Sequence, residues 1–119
     1  MKLSGPKLLL HLEGLCVLVA ACVAYQAGGF AWWKFGVLFL APDLAMIGYA
    51  LGTKIGAASY NAAHTYLAVG GFWLLGHGLG LPSVLPICLI WTAHIGFDRM
   101  LGYGLKYPDA FKDTHLGRV

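Results

Sequence analysis

Hydrophobic positions along the chain gather into four long stretches, at about residues 7–27, 30–51, 54–78 and 84–105. Gly28-Gly29, Gly52-Thr53 and Leu81-Pro82-Ser83 interrupt them, and a polar tail, 106–119, follows. Each stretch is close to the run of about 20 apolar residues that carries an α-helix across a bilayer. Connections this short predict antiparallel neighbours. The expected fold is therefore all-α: an integral-membrane four-helix bundle, up-down-up-down, in residues 1–105. Open strands are excluded, because lipid leaves their backbone groups unpaired.

Composition sharpens this picture. Of the 119 residues, 59% are hydrophobic and 11% charged, with a mean hydropathy of +0.71. Soluble domains carry about 25% charged residues, so this chain has too few to cover a soluble surface. The same numbers exclude disorder. A net charge of +3 with scattered basic residues also argues against nucleic acid as a partner. Cys16, Cys22 and Cys88 lie in apolar runs without C-x-x-C spacing and read as small hydrophobes. The start of the chain resembles a signal peptide, but His11 and Glu13 interrupt its apolar region, so a retained first helix is expected.

Charge also predicts sidedness. With four spans, Lys2, Lys7, Lys54, Arg99, Lys106, Lys112 and Arg118 fall on one side and Lys34 on the other. The positive-inside rule then places both termini in the cytoplasm, with membrane lipids as the surroundings. Gly48-x3-Gly52-x3-Gly56, Ala58-x3-Ala62 and Gly76-x3-Gly80 allow close helix approach. That serves packing within the bundle or, less simply, a homo-oligomer face.

Ionisable groups at membrane depth are costly and usually functional. Glu13, Asp43, His64, His94 and Asp98 fall in the four stretches about 9 to 17 Å from the cytoplasmic ends, counted at 1.5 Å per residue. They predict one polar layer to which every helix contributes. His94 and Asp98, at i and i+4, share a helix face, and so do Asn61 and His64, at i and i+3. Pro42 leaves the Leu38 carbonyl without its helical donor and should bend the second helix beside Asp43. Tyr60, Thr65 and Tyr66 could add hydroxyls. Three uses of this layer compete: a site for one or two divalent metals (Zn, Fe or Mn), proton carriage without metal, and pairing that only fixes the bundle.

Around the layer, His11 is expected to snorkel or cap and His77 to lie in the outer loop. Lys34 should anchor at the interface. Arg99 is open to a lipid phosphate or to an internal carboxylate. In the tail, Asp113 and His115 could fold back over the cytoplasmic mouth of the bundle, as ligands or as an acid/base pair; a frayed end is the alternative.

Several segments together carry a likeness. They are Leu12-Glu13-Gly14, Leu40-Ala-Pro-Asp43, Tyr60-Asn-x-x-His64 and Trp91-x-x-His94-x-Gly-x-Asp98-Arg99, then Gly102-Tyr-Gly-Leu-Lys-Tyr-Pro108 and Phe111-Lys-Asp-Thr-His115-Leu-Gly117. The chain resembles a bacterial family of small membrane proteins, the domain-of-unknown-function family numbered forty-two sixty. The resemblance implies a four-helix inner-membrane protein without an assigned activity. It points to Glu13, Asp43, Asn61, His64, His94, Asp98, Arg99, Asp113 and His115 as the characteristic polar positions.

The expected function is a metal-dependent enzyme, a hydrolase or oxidoreductase, acting on a lipid or lipophilic substrate. Glu13, Asp43, His64 and His94 would be metal ligands with Asn61 in support. Asp98, Arg99, Asp113 and His115 would be the catalytic set: a carboxylate or His115 as base, and Arg99 on a phosphate head group. A proton-linked oligomeric transporter or channel, and a structural or partner-binding subunit, are the rival classes.

Overall fold

The computed structural model describes residues 5–102, apart from the side chains of residues 45 and 46. Every regular element among them is helical: α1 (Gly5–Ala27), α2 (Trp32–Leu38), a 3₁₀ helix (Ala41–Leu51), α3 (Thr53–Ala63), α4 (Tyr66–Gly78) and α5 (Val84–Leu101). Among the described residues, three segments are long and apolar enough to cross a membrane: Gly5–Ala27, Trp32–Leu51 and Val84–Leu101.

The exterior is the reverse of a soluble protein's. Large hydrophobic residues such as Val37, Ile47, Leu51 and Leu67 point outward, and Leu67 is 85% exposed. The buried set includes Lys7, His64, His94 and Asp98. The rest of the buried set is largely apolar, so an apolar exterior encloses an apolar core with a few polar groups in it, which suits lipid rather than water.

α1 and α5 form the most extensive pairing, α3 lies against the 3₁₀ helix, and α4 against α5. Two glycines set the first crossing. A methyl group added at Gly14 would lie 2.5 Å from the Met100 nitrogen and 2.7 Å from the Gly96 carbonyl oxygen; one added at Gly96 would lie 2.8 Å from the Gly14 carbonyl oxygen. The two backbones are in contact, the arrangement small residues permit between apolar helices. Three further glycines also serve contacts within the chain, whereas Gly52 and Gly80 face open space. Gly56 faces the Tyr49 ring, Gly48 faces Ser59 and Gly76 faces Val84. Tyr25 closes the α1–α2 turn: its hydroxyl donates to the Ala31 carbonyl at 2.5 Å, and its ring meets those of Phe30, Trp32 and Phe35.

Two of the four expected spans are interrupted. The stretch 30–51 becomes α2 and a 3₁₀ helix, with α2 ending at Leu38, the residue whose carbonyl Pro42 cannot serve. The stretch 54–78 becomes α3 and α4, parted at His64-Thr65. At that break the His64 N–H bonds back to the Asn61 carbonyl at 3.2 Å, while its ring Nδ1 takes the Tyr60 carbonyl at 2.9 Å. The side chain thus occupies the acceptor that the α-helical ladder would have used. Thr65 is extended and caps α4, its hydroxyl accepting from the Leu67 N–H at 3.3 Å. Finally, α5 stops at Leu101 rather than 105, because Gly102 adopts a left-handed conformation (φ 97°) and its N–H turns back to the Arg99 carbonyl.

Candidate metal centre

The breaks and α5 bring four of the polar residues together. Asp43 enters from the first turn of the 3₁₀ helix, His64 from the α3–α4 break, and His94 and Asp98 from successive turns of α5. His64 Nε2 is 3.1 Å from Asp43 Oδ1, 3.1 Å from His94 Nε2 and 3.3 Å from Asp98 Oδ2. His94 Nε2 is 3.1 Å from Asp43 Oδ1 and 3.2 Å from Asp98 Oδ2. All four atoms lie within 4.8 Å of one another.

Chemistry asks what could sit among them. The Tyr60 carbonyl only accepts, so His64 Nδ1 carries the proton it donates. In the neutral ring, Nε2 then offers a lone pair to the centre. The carboxylate oxygens offer lone pairs too. A proton on His94 Nε2 would satisfy one short contact and leave the others between acceptors. A divalent cation satisfies all of them, and its charge balances two carboxylates. The spacing agrees. A tetrahedron of N and O ligands about 2.0 Å from an ion has edges of about 3.3 Å, whereas Ca²⁺ takes oxygen ligands and has little use for two imidazoles. The group could therefore hold a metal ion.

Surrounding residues hold this geometry. Tyr60 stacks on the His64 ring, centroids 3.8 Å apart and planes within 5°, and its hydroxyl donates to Asp98 Oδ2 at 3.5 Å. Phe39 meets His94 edge-on at 5.3 Å. The break leaves carbonyls that no helix serves, and α5 supplies the donors. Trp91 Nε1 donates to the Ala63 carbonyl at 2.5 Å and Arg99 Nη2 to the His64 carbonyl at 3.1 Å. Irregular backbone among apolar helices needs such partners. The Arg99 guanidinium also lies 5.3 Å from the centre of the Tyr66 ring.

The centre is sheltered unevenly. Side-chain exposure is 1% for His94, 3% for His64 and 11% for Asp98, against 30% for Asp43. Near Asp43 lies a cavity of about 280 Å³ lined by Leu38, Ala41, Pro42, Ala63, Ile87, Ile90 and Trp91.

Other expected site residues sit elsewhere. Glu13, expected as a ligand, is exposed on α1 and outside the group. The residues that α1 buries, Lys7, Gly14, Ala21 and Tyr25, form one stripe at nearly heptad spacing. Glu13 lies next to Gly14 in the chain, about 100° away around the helix, so its side chain leaves α1 to one side of that stripe. Asn61 contributes its backbone carbonyl to the His64 N–H; its side chain is not one of the four. Arg99 is engaged with the break and Tyr66. Asp113 and His115 lie outside the described residues. His11 does cap: its Nδ1 is 2.7 Å from the Met100 carbonyl near the end of α5. The holding roles of Trp91 and Phe39 had no sequence signal beyond their place near His94 and Asp43.

A family model described as a domain of unknown function, DUF4260, matches residues 7–119, and the chain belongs to that family. No curated protein and no solved structure matches it.

Proposed function

We propose that this DUF4260 member is a metal-dependent membrane enzyme acting on a lipid or other lipophilic substrate. The observation that carries the reading is the convergence of two imidazole nitrogens and two carboxylate oxygens, from three separate elements, at mutual distances that fit a small divalent ion. An apolar cavity beside the partly open Asp43 supports a lipophilic substrate. The bound ion would supply Lewis acidity for a hydrolysis or, if it is iron, activation of dioxygen as the oxidant of the substrate.

The chain's own groups have distinct parts in this reading. His94 and Asp98, on one unbroken helix, form the fixed side of the centre. The Tyr60 hydroxyl holds Asp98 Oδ2, leaving Asp98 as a positioned ligand. Asp43 is the ligand nearest the opening, so it is the carboxylate best placed to take a proton from an incoming group. Arg99 serves by tying α5 to the His64 break. The surrounding membrane is taken to be a bacterial inner membrane with the basic side facing the cytoplasm.

Purified protein stripped by chelator and reloaded with Zn, Fe or Mn, then incubated with bacterial lipid extract, tests the proposal. Mass spectrometry should find a lipid altered by the loaded wild type and not by the stripped protein or by Asp43→Asn. No metal-dependent change with any of the three ions would remove the enzyme reading.

One observation favours proton-linked transport as a second reading. Two of the apolar segments are broken beside the polar centre, as helices often are at transport sites. Proton or metal flux into proteoliposomes that fails in Asp98→Asn would support it.

A further inference from the structure

The residues that line the cavity neighbour those of the polar centre in the chain. Pro42 directly precedes Asp43, Ala63 directly precedes His64, and Ile87, Ile90 and Trp91 lie on α5 in the turns before His94. Residues at i−7, i−4 and i−3 fall on the same helix face as i. The cavity therefore continues the centre along α5, toward Val84 and away from Arg99. The wall of this space is aliphatic and indole surface, and the carboxylates and imidazoles of the centre follow next to it along the chain and along α5. Polarity divided in this way matches a ligand with a polar head and one hydrocarbon chain.

Volume limits the chain. An apolar cavity of about 150 Å³ accommodates benzene, with its six carbons. By the same measure, about 280 Å³ accommodates some eleven carbons. That suits one medium-length chain, or the first part of a longer one.

We infer that the cavity lined by Leu38, Ala41, Pro42, Ile87, Ile90 and Trp91 is an acyl-chain subsite, holding a single-chain fatty-acyl amphiphile with its head group at Asp43. This rests on the proposed metal centre only for the head group; the chain site stands on the cavity itself. Trp91 gives it a reporter, because the indole is part of the wall while its N–H is held by the Ala63 carbonyl.

The test uses the full chain in detergent, loaded with zinc, with Trp32, Trp33 and Trp73 changed to Phe so that Trp91 alone fluoresces. Fatty acids of six to sixteen carbons with a bromine on the terminal carbon are titrated in. Saturable quenching is expected, strongest when the bromine lies about six to eleven carbons from the carboxylate. Ala41→Phe, which fills the space, should weaken that quenching at least about tenfold, a shift of 1.4 kcal/mol or more, while zinc per chain stays unchanged. Ile87→Ala, which enlarges the space, should move the optimum to longer chains. Quenching that never saturates, or that ignores both variants, overturns the subsite, since it would mean contact with bulk detergent and lipid chains. Saturable, variant-sensitive quenching without bound zinc keeps the subsite and removes the metal reading instead.

Discussion

The two helices that pair most closely, α1 and α5, are continuous, whereas the segments that pack beside them are broken, at Phe39–Leu40 and at His64-Thr65. In the continuous pair, glycine meets glycine and the backbones touch, and His11 serves the Met100 carbonyl at the end of α5. In the interrupted half, carbonyls are released and must be served by side chains. Asp43 and His64 sit close to those interruptions. Between the halves, α5 presents His94 and Asp98 from a fixed surface and sends Trp91 and Arg99 to hold the break. A rigid helix places ligands by periodicity. A broken one places them by the hydrogen bonds that secure the break.

The largest effect should come from the ligands themselves. Substituting His64 or Asp98 with Ala should lower metal affinity by more than about 100-fold, beyond the usual 10–100-fold for losing a supporting partner, as read by competition against a chromogenic chelator. Equal loss at the two would show that the fixed and broken halves build one centre; loss at Asp98 alone would confine it to α5. Next in size, Gly14→Leu should force the α1–α5 backbones apart and cost about 1–3 kcal/mol, as overpacking does, lowering the thermal midpoint with or without metal. Retained stability would mean that this pair is not the scaffold.

The supporting contacts sharpen the contrast further. Trp91→Phe keeps most of the packing and removes the donor to the Ala63 carbonyl, so it should weaken metal binding about 10–100-fold without the stability loss of Gly14→Leu. A change in stability alone would make Trp91 a packing residue. The smallest effect expected is that of pH over a single unit near neutrality. Both imidazoles must be free of a proton at Nε2 to bind, so acidification should weaken metal binding, with at most about two protons taken up per ion released. Binding that strengthens on acidification would contradict the ligand set.

How much of this was legible in the sequence differs between the halves as well. Apolar stretches announced the helices, and Pro42 announced the end of α2, because a missing N–H is written in the residue itself. His94 and Asp98 met as i and i+4 residues on an unbroken helix must. Depth along the chain rightly grouped Asp43 and His64 with them. Depth says nothing of direction, however, and Glu13 turns outward beside the stripe that α1 buries. The His64-Thr65 break carries no Pro or Gly; it arises from a competition between the imidazole and the backbone for the Tyr60 carbonyl, visible only once α5 supplies Trp91 and Arg99. The Gly14–Gly96 contact joins different helices, so no spacing motif could reveal it.

Metal content of the purified protein, by mass spectrometry after loading with Zn, Fe or Mn and desalting, tests the central claim most directly. One ion per chain in the wild type, and none in a His64→Ala/Asp98→Ala double variant that keeps its helical circular dichroism, is the predicted result. No ion retained under any of the three loadings, or the same content in the double variant, would contradict it.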